Sequence, residues 1–90
     1  MISKKVTVNN PSGLHLRPAG LFCDKAVKFQ SHISFKYHEN FEANAKSVLS
    51  VLGACIRNGD EIEICCDGED EEEALKALVE LVEGGFGEKA

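Results

Sequence analysis

The sequence predicts an open-faced two-layer α/β sandwich of the α+β kind, with a four-stranded antiparallel sheet covered on one face by three helices in the order β-α-β-β-α-β-α. Three observations lead there. Several short segments alternate apolar and polar residues, the pattern of strands with one wet face. Others repeat apolar residues at helical spacing and need a surface to pack on. With 90 residues the chain is long enough for one core only, so residues 1–90 are expected to form a single domain.

Ile2 to Val8 has the strand period, and Asn9-Asn10-Pro11-Ser12-Gly13 supplies turn chemistry after it. From about Leu16 to Phe29 the apolar positions Leu16, Ala19, Leu21, Phe22, Cys23, Ala26, Val27 and Phe29 describe a first helix. Ile33, Phe35 and Tyr37 alternate with polar residues, and a short turn leads to a second strand-like piece at Phe41 to Asn44, so the two are read as a hairpin. Ser47 then opens a small helix through Val48, Leu49, Val51, Leu52, Ala54 and Ile56, capped by its hydroxyl and stopped at Asn58-Gly59. Asp60 to Asp67 is the fourth strand. Glu69 to Glu83 is the last helix, ending at Gly84-Gly85.

Composition excludes several classes of function. The net charge of −5 offers no basic face for a phosphate backbone, so nucleic acid is not an expected partner. Apolar runs are only a few residues long, where a membrane span needs about 20. The N-terminus Met1-Ile2-Ser3-Lys4-Lys5 has no apolar signal core, and a cytoplasmic address is expected. Much of the acid sits in one block, Asp67 to Glu73, read as a solvated loop and helix start whose carboxylates suit the positive end of the helix dipole. Cys23, Cys55, Cys65 and Cys66 contain no C-x-x-C, and adjacent strand positions 65 and 66 point to opposite faces. All four are read as small buried thiols. No metal or other cofactor is expected.

The stretch Pro11-Ser12-Gly13-Leu14-His15-Leu16-Arg17-Pro18-Ala19 hands a turn to a helix with a histidine at the junction. The first N–H groups of a helix lack intrahelical acceptors, and the helix dipole places partial positive charge beside them. Pro18 fits the first turn because its missing N–H would have had no partner there. The N–H groups of Leu16 and Arg17 are left to hold an anion. A neutral imidazole is a nucleophile toward phosphorus, and an arginine fork bonds two phosphoryl oxygens at once. Phosphoryl transfer needs mainly positioning and charge stabilisation, so His15 is the candidate acceptor and Arg17 the assisting cation. His32 and His38 lie near strand ends without these neighbours and are read as solvated.

Gly13-Leu14-His15-Leu16-Arg17-Pro18-Ala19 resembles the active-site signature of the HPr family, the histidine-containing phosphocarriers of the phosphoenolpyruvate-dependent sugar phosphotransferase system. Asn44-Ala45-Lys46-Ser47-Val48-Leu49 resembles the family's regulatory-serine segment. The resemblance implies that His15 takes a phosphoryl group through Nδ1 from phosphorylated enzyme I and gives it to enzyme IIA-type domains. The carrier would itself be a substrate and not an enzyme. It further implies Ser47 as a phosphorylation site for an HPr kinase/phosphorylase, and a transcriptional regulator as a further partner. Two departures stand out: Cys55 falls where similar proteins often carry glycine, and Leu16 replaces the commoner alanine. The segment Glu71 to Gly87 also resembles the nitrogen-branch paralogue, so the branch is left open.

If the first two helices start at the same edge of the sandwich, Leu21, Val48, Leu49 and Leu52 lie beside His15 as a docking patch. Lys25, Lys28, Lys46 and Arg17 would rim it with positive charge suited to acidic partners. A monomer is expected. Two other classes lack their signatures: a metal chaperone needs paired cysteines in an early loop, and an RNA-binding sheet needs exposed aromatics on a basic face. A regulatory module that binds through the same surface without transferring a phosphoryl group is the alternative of a different class.

Overall fold

Strand β1 (Ile2–Thr7) leads through a polar loop to helix α1 (Leu16–Ala26). The hairpin of β2 (His32–Tyr37) and β3 (Phe41–Asn44) follows, then the short helix α2 (Val48–Gly53), strand β4 (Glu61–Asp67) and helix α3 (Glu71–Glu83). A single 3-10 turn over Gly85–Gly87 completes the order. This structure is a computed structural model in which residues 1–88 are described; residues 89 and 90 of the expected domain lie outside the described residues.

The strands lie in the order β1-β4-β2-β3, every neighbouring pair antiparallel. Register sorts the side chains into two faces. Val6 pairs with Ile62, Phe35 with Ile64 and Ala43, and Ile33 with Cys66, and all of these are buried beneath the helices. On the other face Lys5, Glu63, Lys36 and Glu42 form one row across all four strands, alternating in sign. Like charges are never neighbours in that row, which suits an uncovered face.

Helix α1 buries Ala19, Phe22 and Ala26, and the Phe22 ring meets Phe35 edge-on with centroids 5.7 Å apart. Helix α3 buries Ala74, Leu78, Val79 and Val82. Each large side chain removed from water in this layer contributes about 1.5–3 kcal/mol, so the sheet and the two long helices are held as one body.

Three boundaries differ from the periodicity. Helix α1 stops at Ala26, and Lys28 and Phe29 continue as turns whose N–H groups donate to Lys25 and Ala26 three residues back. Helix α3 starts at Glu71 and not Glu69, because Gly68, at φ +158, turns the chain first. Helix α2 ends at Gly53 with Ala54 as its cap, and Cys55 is left-handed at φ +54, so Asn58-Gly59 turns the chain into β4 instead of stopping a helix. Ala54 and Ile56 are buried, yet in a non-helical strap; burial imitated the helical period. Cys55 is exposed and Cys23 half-buried, so only Cys65 and Cys66 fit the expectation of buried thiols. Burial pushes the Cys66 thiol up to about 11, which keeps it protonated and inert.

Candidate functional site

The end of β1 is fixed to the entrance of β4 by Val8 N–H donating to the Asp60 carbonyl (2.8 Å) and Gly59 N–H donating to Val8 (2.7 Å). A turn follows in which Gly13 has φ +64, a conformation open to glycine at no steric cost. A Cβ at Gly13 would also collide with the backbone of Ile56 and Arg57. Leu14 is then pinned twice, its side chain buried and its N–H donating to the Ile56 carbonyl at 3.0 Å. With its predecessor anchored, His15 is set at the head of α1 in extended conformation (φ −78, ψ −171), exposed and making no side-chain cap bond.

His15 occupies the N-cap position without satisfying the helix. Among the described residues no acceptor meets the N–H groups of Leu16 and Arg17, and Pro18 has none to offer. The first turn of α1 contains no acidic residue. An exposed imidazole therefore stands beside two free amides at the positive end of an 11-residue helix. Ser12, Leu14, Leu52, Cys55, Ile56 and Arg57 form a shallow depression with His15, so a group carried on the ring would be open to an incoming surface.

Arg17 is engaged elsewhere. Its Nη2 donates to the Phe86 carbonyl at 2.8 Å and lies 3.4 Å from Glu88 Oε2. The Glu88 carboxylate in turn accepts from the Ser12 hydroxyl (2.7 Å), the Ser12 N–H (3.3 Å) and Asn10 Nδ2 (3.0 Å). The Ser12 hydroxyl above all, then Asn10 and, more weakly, Arg17, lower the Glu88 carboxyl to about 2, far into its ionised range at neutral pH. Sequence reading did not find Ser12, Phe86 and Glu88. The usable signal was the apolar Phe86 after Gly84-Gly85, a pattern that ties a helix end back onto the protein.

The premise that α1 and α2 start at one edge is corrected by the structure. Because β2 and β3 are antiparallel, β3 ends where β2 began, with Asn44 opposite Ser34 and Ala45 N–H donating to Ile33. Helix α2 therefore starts beside the far end of α1: the Cys23 thiol donates to the Lys46 carbonyl and Lys46 Nζ to Phe29 (2.7 Å). Its other end returns to His15. Leu52 shares the depression with His15, while Val48 and Leu49 lie further along the same helix, Leu49 being 78% exposed. Leu21 is half-buried at the core edge, Lys25 half-buried, and Lys28 exposed. Ser47 caps α2 as expected, its hydroxyl accepting from Ser50 N–H at 3.2 Å. Exposed His32 and His38 sit away from this head, and His38 is set edge-on to Tyr37 and Phe41.

Among the described residues no three His, Cys, Asp or Glu side chains come together as a metal site, and no helix is long and apolar enough to cross a membrane.

An open-faced sandwich with an exposed histidine at an unsatisfied helix start defines a class of small histidine-bearing phosphoryl proteins. Residues 2–84 match the PTS-HPr family model, described as the PTS HPr component phosphorylation site, and the chain belongs to that family. The phosphocarrier protein NPr of Proteus mirabilis is 39% identical over 94% of this chain and 94% of its own length. The HPr-like protein Crh of Halalkalibacterium halodurans is 37% identical, covering 92% of this chain and 98% of its own. The crystal structure of HPr-C-His from Thermoanaerobacter tengcongensis superposes with a TM-score of 0.95 at 40% identity, over the full length of both chains.

Proposed function

We propose that this protein is a cytoplasmic, monomeric phosphoryl carrier in which His15 accepts a phosphoryl group from phosphorylated enzyme I and donates it to an enzyme IIA-type domain. One observation carries the reading: the His15 imidazole is exposed at the head of α1 beside two amides that have no acceptor among the described residues. In the transfer the donor's bond to phosphorus breaks as a P–N bond to the neutral ring forms. The Leu16 and Arg17 N–H groups hold the oxygens of the arriving dianion, and the acceptor domain later takes the group by the reverse step. The chain supplies positioning and charge and is returned unchanged after each cycle, so it acts as a substrate of other proteins' chemistry.

Leu16 (65% exposed) and the half-buried Leu52 give partners an apolar surface beside His15, with Arg17 at its margin, and Leu49 (78% exposed) continues it along α2 towards the far end of α1. That chemistry fits acidic proteins engaged briefly. Ser47, at the far end of α2, serves the same surface at a distance: a phosphoryl group there would stand beside Val48 and Leu49 and oppose an acidic partner without touching His15. A kinase/phosphorylase and a transcriptional regulator are the partners this second site would bring. The 39% identity to an NPr supports a second reading, in which the same chemistry feeds a nitrogen-branch IIA domain. The test is to incubate the protein with enzyme I and labelled phosphoenolpyruvate and map the label. Acid-labile phosphate on His15 is expected; label on another residue, or none, contradicts the proposal.

A further inference from the structure

One buried side chain beside the site is explained neither by packing nor by contact with a phosphoryl group. Asn10 opens the turn Asn10-Pro11-Ser12-Gly13, whose residues suit a type I turn, with asparagine first, proline second and glycine fourth. Its carbonyl accepts the Gly13 N–H at 3.1 Å and closes that turn. The side chain is buried. Its Nδ2 donates to the Gly13 carbonyl at 2.8 Å and to Glu88 Oε1 at 3.0 Å, with the Ser12 hydroxyl oxygen at 3.3 Å, while its Oδ1 meets no partner among the described residues. Native structures seldom leave a buried acceptor unpaired, and an apolar side chain of similar size would not carry that cost. An amide at position 10 is therefore kept for what it donates.

We propose that Asn10 is a positioning residue for phosphoryl transfer: its side-chain amide locks the Gly13–Leu14 peptide plane and, through that plane, the placement of His15 at the head of α1. This rests on His15 being the acceptor. The turn bond fixes only the Gly13 N–H and leaves the next peptide unit to swing about a glycine, which has no side chain to restrain it. Asn10 Nδ2 takes the carbonyl side of that unit, and the Ile56 carbonyl takes the other side, accepting the Leu14 N–H at 3.0 Å. A peptide group held on both sides cannot rotate without breaking one of the two bonds. Leu14 is itself buried, so the fixed plane is passed on to His15, which makes no side-chain cap bond of its own to steady it. Transfer between positioned groups is sensitive to displacements of about 1 Å, and a loosened plane would spread the ring over placements away from the Leu16 and Arg17 amides.

The test uses the full chain. In the unaltered, isotope-labelled protein an NMR scalar coupling through the hydrogen bond should join Asn10 Nδ2 to the Gly13 carbonyl carbon, and its absence overturns the proposal. Two variants then remove the donor: Asn10→Leu fills the space, and Asn10→Ala empties it. Single-turnover transfer from phosphorylated enzyme I is followed over a range of enzyme I concentrations, well below the melting temperature of each variant. The saturating rate is expected to fall about tenfold, while the half-saturating concentration stays within about twofold because the docking surface is untouched. The Leu14 and His15 amide signals should broaden by exchange, with those of Phe22 and Ile64 unmoved. An unchanged saturating rate, a change confined to half-saturation, or failure of both variants to fold makes Asn10 a structural residue and overturns its positioning role alone. No phosphohistidine at His15 in the unaltered protein overturns the assignment of the acceptor and this proposal with it.

Discussion

At the start of α2 the Ser47 hydroxyl accepts a helix N–H, whereas at the start of α1 the His15 side chain accepts none and two N–H groups meet no acceptor among the described residues. Helix α3 resembles α2 in spirit, with Glu71, Glu72 and Glu73 laid on its positive end. The contrast shows how one feature of helices, the orphaned first turn, is used for stability twice and withheld once. The withheld case is made tolerable by rigid neighbours: buried Leu14 before it and buried Pro18 and Ala19 after it hold α1 in place without a cap.

The largest expected effect falls on the uncapped start. His15→Ala should abolish phosphoryl acceptance while changing unfolding free energy by no more than about 0.5 kcal/mol, since the side chain is exposed and caps nothing. His32→Ala and His38→Ala should leave acceptance intact in the same assay. Gly13→Ala attacks the anchoring instead: a Cβ there would stand within 2.8 Å of Arg57 Cα at a φ of +64. Denaturant melting should show a loss of about 2 kcal/mol or more. Gly20→Ala, with open space around its Cβ, is the control and should stabilise α1 slightly.

Arg17→Ala should slow single-turnover transfer by about tenfold to a hundredfold while weakening partner binding far less, because its charge matters most where the phosphoryl oxygens rearrange. Lysine should restore only part of the rate, lacking the fork. Equal rates for all three side chains would remove Arg17 from the mechanism. The smallest effects belong to the capped start. Ser47→Ala should cost about 1 kcal/mol of stability with unchanged acceptance. Ser47→Asp keeps a cap and adds charge, so it should retain stability and raise the apparent KM for enzyme I. Unaltered kinetics for Ser47→Asp would make Ser47 a cap and nothing more.

Most of the fold was legible because its signals are local. The strand period of Ile62 and Ile64, the helical period of Ala74, Leu78 and Val82, and the serine before Val48 each act within a few residues. What was misread depended on distant partners. Ile56 looks helical because it is buried, but its carbonyl serves Leu14 across the molecule. The site was half legible for the same reason: His15, Arg17 and Pro18 share one helix start, whereas Glu88 reaches Ser12 only after the whole chain has folded. Nor could spacing show that the hairpin returns the chain to the far end of α1, which separates Ser47 from His15 and leaves only Leu52 of the expected patch in the depression.

The contrast between the two helix starts is tested most directly by the amide protons of the phosphorylated protein. Assigned NMR spectra before and after phosphorylation of His15 should show the Leu16 and Arg17 N–H signals moving furthest downfield and exchanging more slowly, with Ser50 and Ala74 unmoved. Leu16 and Arg17 signals that stay in place while His15 carries phosphate would contradict the claim that the uncapped start of α1 is the phosphoryl site.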